Sequence, residues 1–138
     1  MRFLVDTNVI MDALEATGEF YDASYRVMII CAQNLASGYL AAHTITNLFY
    51  LLRNRYSNDE CRDILLSLFQ VFRIEQIDAD KLKISLENRN FKDFEDCLQM
   101  ECAKAIAADI IVTRDKQFAS DSSIPCVTPM EFCEIFPE

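Results

Sequence analysis

Five short runs with strand-type patterns of apolar residues, separated by segments of helical periodicity, constrain the fold of this chain more than any other feature. The runs cover residues 3–5, 39–42, 72–77, 110–113 and 126–127. The run at 72–77 alternates apolar and polar residues, so it is predicted to be an edge strand. Because helical segments lie between the runs, the strands are expected to be joined by crossovers and to lie parallel. The pattern predicts an α/β fold, a parallel sheet with helices on both faces.

Two of the predicted helices have boundaries or faces that the sequence specifies in detail. Residues 19–37 carry apolar residues at helical spacing, and Gly38 is predicted to end this helix at its C′ position. Residues 78–88 are predicted to form another helix, with Leu82 and Leu86 turned toward the core.

Length and composition fit one domain with an ordinary core. The chain has 138 residues, 51% of them hydrophobic, so residues 1–138 are predicted to form a single domain. The formal net charge is −9, which argues against broad nonspecific attraction to nucleic acid or to an anionic membrane. It leaves room for a local cluster of carboxylates that a cation would neutralise.

The cysteines and the apolar runs bear on the cellular compartment. Six cysteines are scattered through apolar surroundings without a Cys-x-x-Cys pair, so they are predicted to be reduced and mostly buried. No apolar run approaches the ~18 residues of a membrane span. The protein is therefore expected to be cytoplasmic and not to bind a membrane.

Two of the predicted strands lead into a carboxylate. Asp6 follows the run at 3–5, and Asp115 follows the run at 110–113. In parallel strands these side chains emerge at the same sheet edge, where open sheets bind ligands. Like charges brought close require a cation or a raised pKa. A hard divalent ion, Mg2+ or Mn2+, can be held by carboxylates alone, without histidine or thiolate.

A third acidic contribution comes from the predicted helix at residues 94–107. Asp93 and Asp96 are three residues apart and lie on one side of its first turn. Asp96 is the favoured ligand, because Asp93 also suits the purely structural role of N-cap. Glu95, between them in sequence, is expected to point elsewhere and to be solvated.

Three short motifs occur in order along the chain: Asp-Thr-Asn at residues 6–8, Asp-Phe-Glu-Asp-Cys-Leu at 93–98 and Val-Thr-Arg-Asp at 112–115. Together they resemble the PIN-domain family of metal-dependent ribonucleases, which includes the VapC-like toxins. Residues 44–51 and 124–132 resemble one bacterial branch of the family. The match spans most of the chain.

The resemblance implies a doubly wound parallel sheet of four or five strands and an enzyme that cleaves single-stranded RNA. It implies Mg2+ or Mn2+ as cofactor, held by three or four acidic residues. In the toxin branch it also implies an antitoxin protein as partner and a homodimer. By position the metal-binding acids are Asp6, Asp96 and Asp115, the polar residues that support them are Asn8 and Thr113, and Asp93 is an auxiliary candidate.

One position departs from the family pattern. Many members carry Glu or Asp on the helix after the second strand, whereas this chain has Asn47 there and no acidic residue between Gly38 and Asn58. An amide oxygen can bind a hard cation but brings no charge. Asn47 is therefore a further candidate ligand that would leave the pocket one charge short.

Other interpretations stay open at this stage. The missing acid and the net charge of −9 favour a non-catalytic PIN-like module that binds RNA or protein. A phosphoaspartyl phosphatase or receiver domain also places an Asp after its first strand. His43, the single histidine, is interpreted as a hydrogen-bonded structural residue rather than a general base. Arg114 and Lys116, which flank Asp115, are candidate phosphate contacts.

Overall fold

The structure, a computed structural model, describes residues 1–137, and these form five strands and eight helices. The strands are β1 (Arg2–Val5), β2 (Ser37–Ala41), β3 (Arg73–Glu75), β4 (Ile110–Val112) and β5 (Cys126–Val127). The helices are α1 (Thr7–Glu15), α2 (Tyr21–Ala32), α3 (Ala42–Leu52), α4 (Asn58–Leu68), α5 (Ala79–Glu87), α6 (Phe94–Ala105), α7 (Lys116–Asp121) and α8 (Pro129–Ile135).

All five strands join one parallel sheet in the order β3-β2-β1-β4-β5. The chain starts in the middle, builds outward through β2 to β3, and then returns to the other side of β1 for β4 and β5. This confirms the predicted α/β fold with a doubly wound parallel sheet, and β3 is the predicted edge strand. The strand order reverses between β1 and β4, so the crevice outside their carboxyl ends is where a ligand site is expected.

The central strand is buried on both faces, which explains why its sequence is continuously apolar. Phe3 and Val5 pack into one core cluster, while Leu4 between them packs into a second cluster on the opposite face of the sheet. All three side chains are fully buried. β1 is thereby held rigidly, and the residue that follows it is fixed in position.

Gly38 does not end a helix, which corrects the prediction made from sequence. α2 ends at Ala32, and Gly38 lies inside β2. A Cβ atom at Gly38 would lie 2.6 Å from the Cys31 Sγ atom and 2.9 Å from Cδ1 of Phe72. The glycine is therefore required by close packing within the sheet, and the left-handed residue after α2 is Asn34, with φ of 56°.

The buried face of α5 also differs from the prediction. Leu82 and Leu86 are exposed, at 40% and 63%, whereas Lys81 is buried. The Lys81 Nζ atom donates hydrogen bonds to Glu75 Oε2 at 2.9 Å and to the Gln76 carbonyl oxygen at 2.8 Å. The helix therefore turns its lysine toward the end of the edge strand, where it satisfies polar groups that an apolar residue would leave unpaired.

The thiols match the prediction from sequence. All six cysteines are free; Cys126 and Cys133 are half-buried and the other four are buried. Among residues 1–137, no helix is both long and apolar enough to cross a membrane.

Replacement of Gly38 by alanine tests the packing of β2. The added Cβ forces Cys31 or Phe72 to move, so we expect Gly38→Ala to lower the free energy of unfolding by about 1–3 kcal/mol. Urea unfolding followed by circular dichroism measures this change. Ser37→Ala, at the exposed neighbouring position, is the matched control. Equal stability of the two variants would contradict the close packing at Gly38.

Candidate active site

A cleft lies at the carboxyl ends of β1 and β4, at the position predicted for a ligand site. Its volume is about 580 Å³. Asp6, Asp96 and Asp115 all line it, and so do the amide side chains of Asn8 and Asn47. Three carboxylates that are up to 109 residues apart in sequence therefore face one space.

Asp6 is the most enclosed of these acids, with 4% of its surface exposed. Its backbone N–H donates to the Val112 carbonyl oxygen at 2.9 Å, which extends the pairing of β1 with β4 by one residue. The Oδ1 atom accepts a hydrogen bond from Gln99 Nε2 at 2.8 Å, and Oδ2 accepts one from Thr113 Oγ1 at 2.7 Å. Burial raises the pKa of Asp6, and the two hydrogen bonds oppose that rise.

Thr113 connects Asp6 to Asp115. While its hydroxyl donates to Asp6, its oxygen accepts the backbone N–H of Asp115 at 3.0 Å. Asp115 then caps α7, because its Oδ1 accepts the N–H groups of Gln117 at 2.9 Å and Phe118 at 3.2 Å. This cap uses one carboxylate oxygen and leaves the second for the cleft. Thr113 is itself buried and acts from beneath the site.

Asp93 and Asp96 take different roles at the start of α6. Asp93 is the N-cap, since its Oδ1 accepts the Asp96 N–H at 2.9 Å. Asp96 is half-buried and lines the cleft. Burial raises the pKa of Asp96 to about 7, and the charges of Asp6, Asp93 and Asp115 add to this rise. The raised pKa of Asp96 thus reflects both its burial and the crowding of negative charge in the cleft.

Gln99 is a site residue that the sequence reasoning missed. It lies on α6 three residues after Asp96, on the same helix face, and is 2% exposed. Its Nε2 atom holds Asp6, while its Oε1 atom is buried without a hydrogen-bond partner. A polar residue amid the apolar stretch from Cys97 to Met100 is the signal that could have identified it.

Asn47 and Glu95 form a direct pair that sequence reasoning also missed. The Asn47 Nδ2 atom donates to Glu95 Oε2 at 3.0 Å. Glu95 is exposed, as expected, but it lines the cleft instead of pointing elsewhere. His43 Nε2 lies 3.1 Å from the Glu95 carbonyl oxygen, and burial lowers the pKa of His43. A neutral histidine bonded to backbone agrees with its structural interpretation.

Arg114 is engaged by an acid that the sequence did not single out. Its guanidinium contacts the two carboxylate oxygens of Asp12 at 2.7 Å and 3.3 Å. The same group lies over the Phe20 ring, with Cζ 4.4 Å from the ring centre. Arg114 lines the cleft, so its role as a phosphate contact stays a prediction, as does that of exposed Lys116.

The donor set of the cleft suits a hard divalent cation. Within residues 1–137, no three acidic, histidine or cysteine side chains already surround a common metal position. The donors that face the cleft are nonetheless oxygen atoms, the preferred ligands of Mg2+ and Mn2+. A cation bound there with its waters would lower the pKa of Asp96 and give the buried amide oxygens of Gln99 and Asn8 the partners they lack.

The family follows from comparison with known proteins. The family model described as a PIN domain matches residues 2–117. The chain belongs to the PIN-domain family. Ribonuclease VapC1 of Aquifex aeolicus (strain VF5) is 27% identical to this PIN domain over 136 residues, which is 96% of this chain and 94% of that protein. Membership of this family excludes the phosphoaspartyl phosphatase and receiver-domain interpretations.

Solved structures share the fold of this PIN domain at low sequence identity. VapBC2 from Rickettsia felis, bound to a DNA fragment from its promoter, matches with a TM-score of 0.69 and 18% identity, over 93% of this chain and 98% of that chain. Mycobacterium tuberculosis VapC20, a toxin that cleaves the sarcin-ricin loop, matches with a TM-score of 0.68 and 15% identity, over 86% and 93% of the two chains.

The raised pKa of Asp96 predicts a pH-dependent stability for the metal-free PIN domain. The folded-state pKa of about 7 exceeds the ordinary value of 3.8. The folded state therefore holds a proton that the unfolded state releases, and this stabilisation is lost as pH rises through 7. We expect the melting temperature in EDTA to fall between pH 6 and pH 8, and Asp96→Asn to reduce this fall. An identical pH dependence in both proteins would contradict the shift.

The bridging hydroxyl of Thr113 predicts a stability change in the same PIN domain. Thr113→Val keeps the shape but removes the donor to Asp6 and the acceptor for the Asp115 N–H. We expect the free energy of unfolding at pH 7.5 to fall by about 1–3 kcal/mol, since buried polar groups lose their partners. Thr46→Val is the control, because that threonine is exposed and bonds within its own helix. Denaturant unfolding of both variants makes the comparison, and equal losses would refute the bridge.

Proposed function

We propose that this PIN domain is an Mg2+- or Mn2+-dependent endoribonuclease that hydrolyses single-stranded RNA. The observation that carries the proposal is the convergence of Asp6, Asp96 and Asp115 on one cleft at the carboxyl ends of β1 and β4. The likeness to Ribonuclease VapC1 supports the same activity.

Each residue of the cleft has a defined task in this function. Asp6, Asp96 and Asp115 would hold the cation, and Asn8, whose amide oxygen is buried without a hydrogen-bond partner, would support them. The cation, when bound, activates water and stabilises the negative charge on the phosphoryl group being cleaved. Thr113 keeps the Asp6 carboxylate oriented from below by its hydrogen bond. Asp93 acts through its cap of α6, which fixes the first turn that carries Asp96.

An exposed aromatic ring in the wall of the cleft favours single-stranded RNA as the substrate. Tyr50 lines the cleft and is 59% exposed, and Arg53 lies over its ring at 4.1 Å. An exposed aromatic ring beside a cation offers a surface on which an unpaired base stacks near a phosphate. A base held in a duplex cannot reach such a ring, which favours unpaired substrate.

The protein acts as the toxin of a toxin–antitoxin pair, is a homodimer and works in the cytoplasm. The likeness to VapC1 and to the VapBC2 complex supports an antitoxin partner. A second cleft of about 430 Å³ between α3 and α4 supports protein contact, because its wall is mostly apolar. Leu66 and Phe69 stand exposed there at 64% and 54%.

A PIN-like module that binds without cutting is the second candidate. Asn47 favours it, since its amide is turned to Glu95 and adds no charge to the cleft. The two functions differ in their need for metal. A binding module would retain RNA or protein affinity in EDTA and leave RNA intact in Mn2+.

Cleavage of RNA by the purified protein tests the proposed function. We expect unstructured RNA to be cut in Mg2+ or Mn2+ and left intact in EDTA. Loss of a cation-binding carboxylate removes charge that the reaction requires, so Asp6→Asn or Asp115→Asn is expected to lower the rate at least about 100-fold. Asp63→Asn, on the exposed face of α4, removes the same charge away from the cleft and is expected to retain activity. RNA cleavage by the Asp6→Asn variant at an undiminished rate would contradict the proposed function.

A further inference from the structure

Two residues on one face of α3 form hydrogen bonds to Glu95. His43 and Asn47 are four residues apart, so their side chains lie one above the other. His43 Nε2 contacts the Glu95 carbonyl oxygen at 3.1 Å, and Asn47 Nδ2 donates to Glu95 Oε2 at 3.0 Å. A carbonyl oxygen only accepts, so His43 carries its proton on Nε2. Glu95 is held at its backbone and at its side chain.

The direction of the Asn47 hydrogen bond decides which residue presents charge. Because the Asn47 amide donates, it leaves the negative charge on Glu95 and fixes one of the two carboxylate oxygens. Glu95 lines the same cleft as Asp6 and Asp96. An exposed glutamate ordinarily samples many rotamers, and this contact restricts Glu95 to those that face the cleft.

An independent feature of the cleft points to a polar occupant. The Gln99 Oε1 atom is buried, on a residue that is 2% exposed, and has no hydrogen-bond partner. Gln99 lines the cleft, and its other terminal atom holds Asp6. A buried amide oxygen left without a donor is costly, so the cleft is built around a group that supplies positive charge or hydrogen-bond donors.

We propose that Glu95 is a fourth carboxylate of the cation-binding cleft and that Asn47 is the positioning residue that holds it there. This inference rests on the proposed function, since it concerns the same cation. It replaces the expectation that Asn47 is itself a ligand. Glu95, on α6, supplies the negative charge that Asn47 lacks. His43 holds the backbone of Glu95 through its hydrogen bond to the carbonyl oxygen.

An exchange of the two side-chain types tests the proposal without RNA. Asn47→Asp and Glu95→Gln are both isosteric, so the double variant keeps the 3.0 Å contact with its donor and acceptor exchanged. We expect Glu95→Gln alone to weaken Mn2+ binding about tenfold. The double variant is expected to regain most of that affinity, because the carboxylate returns one hydrogen bond away. Isothermal titration with Mn2+ alone measures both.

Glu15→Gln is the matched control for the general electrostatics of the cleft. Glu15 also lines the cleft but ends α1, about 12 Å along the helix from its first residue. Equal weakening by Glu15→Gln and Glu95→Gln would overturn the proposal, and so would unchanged affinity in Glu95→Gln. Failure of the unaltered protein to bind Mn2+ at near-millimolar concentration would overturn the proposed function as well. Metal-free melting curves verify that every variant is folded.

Discussion

The burial of one carboxylate organises this molecule. Asp6 is taken out of water at the end of the central strand, where an ionised group without partners would be strongly destabilising. Its partners come from two separate elements, Gln99 from α6 and Thr113 from the end of β4. The strand, the neighbouring strand and the long helix are therefore tied together at the point where the site lies. The hydrogen bonds that stabilise this junction also orient the carboxylate.

The same arrangement concentrates negative charge. Asp96 and Asp115 join Asp6 in a cleft of a chain whose net charge is already −9. Repulsion is offset only in part by the protein, since Arg114 lies in the cleft but is bound to Asp12. Burial raises the pKa of Asp96, and this remaining repulsion adds to the rise. Charge that the fold does not neutralise is available to a cation, and in the proposed function that cation would let a strongly acidic protein hold the phosphates of RNA.

The sequence predicted those parts of the fold and site that depend on strands. Phe3, Leu4 and Val5 could be assigned because burial on both faces leaves a continuous apolar run. Asp6 and Asp115 could be paired because parallel neighbours end at one edge, and β1 and β4 are such neighbours. No knowledge of how the helices dock was needed for either prediction.

The residues that sequence reasoning missed all depend on the docking of helices. Leu82 was expected to be buried and Lys81 is buried instead, because polar groups at the end of β3 lie under α5. Gly38 looked like a helix end because the Phe72 ring that packs against it is distant in sequence and could not be placed there without the fold. Gln99 could be placed only when α6 was known to lie beside Asp6. Periodicity identifies a helix, but it does not identify what lies opposite each face.

The contact between α3 and α6 shows that the charge of the cleft depends on which side chains lie close together in the fold. The residue type at one sequence position does not determine it alone. Asn47 brings no charge, yet its amide reaches a carboxylate on the first turn of α6. The N-terminal turn of a helix carries partial positive charge, so an acid is better tolerated there than in the middle of α3. The helix terminus thus stabilises the Glu95 carboxylate, although its charge also contributes to the raised pKa of Asp96. In the arrangement proposed above, that charge would stay within reach of a cation. A substitution at position 47 accordingly cannot be judged without its neighbour at position 95.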